Sequence, residues 1–196
     1  MPYALSSYTP YLGGSGGNSG YGDKRTPPGD QRLPEIALQF RKDPGRTKTF
    51  NLPSDPRFVT PNQALITVND LSSFNITVWS YIDKDNKLQY RVNANFRKGD
   101  TTKLAGRPNP YGKDFGLHAE MLAMGWFDGQ PGPRVEKDRV QQIFTERFPC
   151  GTCFPVLKNE YSHVSWYYFF DRRLFPSIKE DDTRIGDRLK VCYGLP

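Results

Sequence analysis

His118 and Glu120 stand two positions apart, and Cys150 and Cys153 three apart; these are the side chains whose types and spacing could do chemistry together. One imidazole and two thiolates give a zinc ion three protein ligands and leave the fourth tetrahedral position open to water. Zinc lowers the pKa of such a water toward about 7. Glu120 is not needed as a ligand, so it is free to take the water's proton and hand it to a leaving group. The chemistry would be metal-assisted hydrolysis.

Certain elements must position these groups. A histidine and a glutamate two apart on a regular helix point about 200° away from each other, so they share a site only at a helix end. Gly116-Leu117-His118 is read as that end, opening a helix from Leu117 to about Phe127. Leu117, Met121, Leu122, Met124, Trp126 and Phe127 make it apolar nearly all round, which predicts burial, and Asp128-Gly129-Gln130-Pro131 ends it. Pro149 suits the first position of a second helix, where its missing N–H costs nothing; Cys150 and Cys153 then lie one turn apart on one side. Both helix N-termini would face the metal, and their partial positive charge with the ion favours thiolate over thiol. A C-x-x-C pair alone also builds redox motifs and structural zinc knuckles. A structural zinc with Cys192 as fourth ligand would close the tetrahedron and remove the water position.

The chain around the motif has 196 residues, enough for one domain and a tail. Residues 1–34 hold seven glycines and five prolines and read as a flexible linker or junction, leaving 35–196 as the folded domain. Leu33 to Pro61 is left unassigned between a wrapping segment and a short helix against the domain. Phe74–Ile82 and Leu88–Phe96 alternate around the turn residues Asp83-Lys84-Asp85-Asn86 and predict a β-hairpin, with Asn93 and Asn95 on the polar face of the second strand. Val140–Phe148 is the next strand and leads into Pro149-Cys150. Val164–Phe170 reads as a central strand covered on both faces, and Ile178–Tyr193 as a helical turn with a closing strand. The order predicts an α/β fold, a three-layer α/β/α sandwich around a mixed sheet of about five strands, with the zinc at two helix N-termini.

The net charge is +6. Lys87 to Lys113 carries all of that excess, with seven basic residues against Asp100, whereas eleven basic and eleven acidic residues balance from Gly116 onward. Arg97, Lys98, Lys103, Arg107 and Lys113 are therefore candidates to grip a nucleic-acid backbone beside the zinc helix; a solvated charged loop is the alternative. Three cysteines imply no disulfide framework and suit a reducing compartment. No cleavable signal segment is apparent, and the longest apolar run, Trp166–Phe170, is too short to span a bilayer, so no membrane partner is expected.

His118-Ala119-Glu120 followed by Pro149-Cys150-Gly151-Thr152-Cys153 matches H-x-E and P-C-x-x-C, the signature of zinc-dependent nucleobase deaminases. On these residues the chain resembles the cytidine-deaminase-like superfamily, and within it the bacterial polymorphic-toxin deaminases, with residues 74–193 following the superfamily layout. The resemblance implies zinc ligation by His118, Cys150 and Cys153 and proton shuttling by Glu120. It implies that the backbone at Phe148 holds the base's amino group and that Asp171-Arg172-Arg173-Leu174-Phe175-Pro176 senses the preceding nucleotide. Arg172, Arg173 and Phe175 supply phosphate-gripping and base-stacking chemistry there. Asn93 or Asn95 would hold the sugar. Arg147 departs from the aromatic residue found before the motif in the vertebrate polynucleotide editors, and the N-terminal third has no counterpart in the layout. His163 and Cys192 read as structural. The implied function is conversion of cytosine to uracil in single-stranded DNA by a monomeric interbacterial toxin domain. It would be secreted or injected, would act in the target-cell cytoplasm, and would be countered by a cognate immunity protein. RNA, double-stranded DNA, a nucleotide or adenine are alternative substrates, and a non-enzymatic nucleic-acid-binding module with a structural zinc is the alternative from another class.

Overall fold

Asp83 closes the hairpin as its short carboxylate allows. Its Oδ1 accepts from the N–H groups of Asp85 and Lys87, its Oδ2 accepts from Gln89 Nε2, and Asn86 takes the left-handed φ of 58° that asparagine tolerates. In the computed structural model, which describes residues 32–42, 71, 74–95, 118–129, 134–170 and 182–196, this turn joins β1 (Ile76–Ile82) to β2 (Leu88–Ala94). The elements that follow are α2 (Ala119–Phe127), a single 3-10 turn at Lys137–Arg139, β3 (Val140–Arg147), α3 (Cys153–Glu160), β4 (Ser165–Phe170) and α4 (Asp182–Tyr193). A further helix, α1 (Arg32–Lys42), precedes the hairpin.

The molecule is mixed α/β, with a four-stranded mixed sheet ordered β2-β1-β3-β4. β1 pairs antiparallel with β2 and with β3, and β3 pairs parallel with β4. Strand residues alternate between two apolar clusters, as a period of two requires. Ile76, Val78, Tyr90, Val92, Phe144 and Tyr167 pack with α1 and α4. Trp79, Tyr81, Ile143 and Trp166 pack with α2 and α3. All nine residues of α2 are buried, Glu120 among them, as a helix apolar nearly all round predicted.

Several expectations change. Most of α1 falls in the segment left unassigned, but the helix opens earlier, at Arg32, so residues 32–34 belong to it although their composition put them with the linker. Leu33, Ile36, Ala37 and Phe40 recur at helical spacing and are buried, Pro34 sits in the first turn where it is tolerated, and Arg41 and Lys42 occupy the last turn. The closing strand is instead α4. Ile185, Leu189 and Tyr193 line its buried face, and Gly194 at φ 64° ends it, with Leu195 N–H donating to Lys190 O and Gly194 N–H to Val191 O. That six-to-one and five-to-two pairing is a Schellman stop, a helix signal that outweighs the short alternation of Leu189 and Val191. With that strand gone, the described sheet has four strands, and β4 is its edge among the described residues. β4 is still covered on both sides, by Trp166 in one cluster and Tyr167 in the other.

The face of β2 read as polar is not a wet face. Arg91 and Asn93 are both buried, with the Arg91 guanidinium 4.5 Å from the centre of the Trp126 ring and its Nε donating to Asn93 Oδ1 at 3.0 Å. Leu88, assigned to the apolar face, is exposed.

Beneath the start of β1 lies a buried ion pair. Arg41 Nε and Nη2 donate to the two carboxylate oxygens of Glu146 at 2.5 and 2.6 Å, and Nη2 also reaches Phe74 O at 2.6 Å. Glu146 further accepts from Tyr193 Oη at 2.7 Å and from Ile76 N–H at 2.9 Å. One carboxylate thus joins α1, α4, β1 and β3, and loss of either charge would leave the other buried without its partner, at a cost of about 3–5 kcal/mol.

Candidate metal centre

His118 is the N-cap of α2. Its backbone is extended, at φ −79° and ψ 138°, and its carbonyl accepts the first helical bond from Leu122 N–H at 2.9 Å. Its ring makes no capping bond and is turned to the cysteines, with Nδ1 3.1 Å from both Cys150 Sγ and Cys153 Sγ. The cap position resolves the conflict of two residues 200° apart, because a non-helical His118 need not project where a helical one would.

The second half of the motif is built differently from the expectation. α3 begins at Cys153 with Thr152 as N-cap, not at Pro149. Cys150 lies in the irregular approach; its carbonyl accepts from Phe154 N–H at 2.9 Å, and its sulfur accepts from Cys153 N–H at 3.4 Å. Thr152 Oγ1 is 2.8 Å from the same sulfur. The two cysteines still converge, since that single turn brings Cys150 back over the start of α3.

His118, Cys150 and Cys153 place one donor atom each within 4.8 Å of one another. Tetrahedral zinc with Zn–S near 2.3 Å and Zn–N near 2.0 Å needs donors roughly 3.5–3.8 Å apart, so small adjustments of these side chains suit it. An imidazole with two sulfurs is also a donor set zinc favours. Among the described residues the group has three members. Cys192 is not one of them; it lies on α4, whose buried residues belong to the other cluster. A fourth tetrahedral position is therefore left without a described protein ligand.

Electrostatics at the sulfurs fit a cation. A hydrogen bond from the Cys153 side chain holds the Cys150 thiol well below its usual range; burial opposes this, while His118 and Thr152 add to it. Cys153 is pushed up, first by that same hydrogen bond to Cys150 and then by burial. The pair holds one negative charge readily and a second only if something positive compensates it. A bound dication would supply that compensation.

Glu120 lies in the first turn of α2 and is 4% exposed. Burial raises its carboxyl above the usual carboxylate range, and the charge of Cys150 adds to the rise; its own backbone N–H, His118 and a hydrogen bond with the Cys153 side chain oppose it. Glu120 thus feels the charges of the donor group without being one of its three members. Its Oε1 also lies 3.3 Å from Asn75 Nδ2.

The remaining expected site residues divide into placed and unplaced. Asn93 is buried and bonded to Arg91, while Asn95 is half-buried and its Oδ1 accepts from Asn75 N–H. Phe148 is buried beside the motif, its ring 5.0 Å from that of Phe154 and 5.1 Å from that of Tyr168. Arg147 Nη2 donates to Leu71 O at 3.0 Å and Phe74 O at 3.1 Å, so it braces the chain ahead of β1. His163 Nε2 donates to Lys137 O at 3.0 Å, and its ring stacks on that of Tyr161. Arg97, Lys98, Lys103, Arg107, Lys113, Arg172, Arg173 and Phe175 lie outside the described residues.

Asn75 and Thr145 were not singled out from the sequence. Asn75 Nδ2 donates to Thr145 Oγ1 at 3.0 Å, and Thr145 Oγ1 in turn donates to Arg147 O at 2.9 Å. The available signal was phase. Asn75, Thr77 and Trp79 alternate with Phe74, Ile76 and Val78, which put polar groups on a strand face whose later residues are apolar and buried.

Comparison with models of protein families, with curated proteins and with solved structures finds no match to this chain. Among the described residues, no helix is long and apolar enough to cross a membrane.

Proposed function

We propose that this chain is a zinc-dependent hydrolytic deaminase that converts cytosine to uracil in single-stranded DNA. The observation carrying the reading is the juxtaposition of three metal donors within 4.8 Å of one another with a buried carboxyl, Glu120, that is not one of them. A closed structural site would have no use for an acid in that place. The same reading takes the fold as a three-layer α/β/α sandwich, supported by strand residues that alternate between the α1/α4 cluster and the α2/α3 cluster.

His118, Cys150 and Cys153 would hold the ion. Bound zinc supplies a Lewis acid that brings the acidity of water near neutral pH. Glu120 then works through its carboxylate oxygen, taking a proton from the attacking water and returning it to the departing amine. Water adds at C4 of the base, the C4–N bond breaks, and ammonia leaves as the C4 carbonyl forms. Burial raises the Glu120 carboxyl and a bound dication would oppose that rise, so the two act in opposite directions on the group that carries the proton.

The choice of cytosine and of a single strand rests on the resemblance, as do delivery into a target-cell cytoplasm and a cognate immunity protein. The charge excess between Lys87 and Lys113 supports a polyanionic substrate over a free nucleoside. Exposing a mixed pool of random single- and double-stranded DNA and RNA to the purified protein, then sequencing it, tests base, strand and context together. The proposal predicts C-to-T reads confined to single-stranded DNA. Conversion of free cytidine with every oligonucleotide untouched would reject the polymer substrate, and A-to-G reads would reject cytosine.

A further inference from the structure

We propose that Asn75 is a positioning residue for Glu120, holding the carboxyl toward the metal donors by donation from its side-chain amide. Its Nδ2 is shared between Glu120 Oε1 at 3.3 Å and Thr145 Oγ1 at 3.0 Å. Its Oδ1 accepts from Arg147 N–H at 3.2 Å, which settles the amide's orientation: oxygen toward β3, nitrogen toward Glu120. A carboxyl desolvated at the end of a helix has few other donors to fix its rotation, so an amide in this place does for Glu120 what outer-shell partners do for metal ligands.

The backbone that carries Asn75 is gripped on both sides. Phe74 O accepts from Arg41 Nη2 at 2.6 Å and from Arg147 Nη2 at 3.1 Å, Ile76 N–H donates to Glu146 Oε2 at 2.9 Å, and Asn75 N–H itself donates to Asn95 Oδ1. The side chain is thereby fixed before any substrate arrives. Arg41 belongs to α1, so a helix ahead of residues 74–193 contributes to holding the proposed proton carrier in place.

Two variants separate a positioning role from a merely structural one. Asn75→Ala removes every side-chain contact, whereas Asn75→Asp keeps an oxygen for Arg147 N–H and turns the donor facing Glu120 into a second carboxylate oxygen. If Asn75 acts through Glu120, both variants lower kcat about 10- to 100-fold with KM within about twofold, and zinc content stays at one per chain. Asn75→Ala also lowers the urea midpoint of unfolding, and the loss is smaller when Glu120→Ala is already present, because the two side chains bond to each other. The kinetic arm rests on the proposed deamination; the unfolding arm does not, so an inactive wild-type protein would reject the reaction while the midpoints still decide the role of Asn75. An Asn75→Ala protein that loses the same midpoint with and without Glu120→Ala would overturn the assignment, as would wild-type kcat in either Asn75 variant.

Discussion

Glu120→Gln is expected to lower the rate of deamination by on the order of 10²–10⁴-fold, the range that a positioned acid–base group contributes, while the protein keeps its zinc and its melting temperature. The substitution is nearly isosteric, and the amide can still accept from Asn75 Nδ2, so the packing around the first turn of α2 has no reason to change. What disappears is the ability to carry a proton. Metal retention should be unaffected, because His118, Cys150 and Cys153 supply the donor group without the carboxyl. Turnover of the preferred oligonucleotide, zinc content by mass spectrometry and a thermal melt, taken on one preparation, check the three parts. A Glu120→Gln protein with normal turnover would end the assignment of Glu120 as proton carrier, and one that lost its zinc would make it a ligand.

Cys150→Ser is expected to empty the metal site altogether. Cys150 is exposed and makes its contacts mainly within the motif, so its replacement disturbs the ligand set with little loss of core packing, unlike Cys153, which is fully buried. An ion that binds only the folded chain stabilises it by mass action, by about 4 kcal/mol when its concentration is 1,000 times its dissociation constant. For a chain of this size that corresponds to a shift of about 8–16 °C in melting temperature. The variant should therefore melt lower than the wild type by that amount, and a strong chelator should bring the wild type down to the variant while leaving the variant where it was. A chelator that lowered both equally would place the stabilising metal elsewhere.

Much of the site could be read from the chain because its logic is local. His118 and Glu120 share one helix end, Cys150 and Cys153 share one turn, and the spacing rules of a helix terminus decide what each pair can reach. The hairpin was equally local, with Asp83 and Asn86 supplying the chemistry its turn demands. The parts that escaped depend on partners far away in sequence. Asn75 meets Glu120 across 45 residues, and Arg41 meets Glu146 across 105. Neither pairing leaves a mark on the spacing of its own segment. Alternation in β2 correctly separated two faces, but only the packing of Trp126 against Arg91 decides that the polar face is covered. α4 escaped for another reason: two residues of alternation near Val191 resemble a strand, but the four-residue spacing of Ile185, Leu189 and Tyr193 and the Schellman stop at Gly194 are equally local and mark a helix.

The proposed chemistry needs a metal ion held by three side chains, with its remaining position left to water. X-ray absorption at the zinc edge of the purified wild-type protein tests it most directly. The expected spectrum has two sulfur scatterers at about 2.3 Å and two nitrogen or oxygen scatterers at about 2.0–2.1 Å, one of them showing the outer-shell pattern of an imidazole and the other none. A third sulfur, or a second imidazole, would mean that the protein fills the position itself and leaves no place for the attacking water.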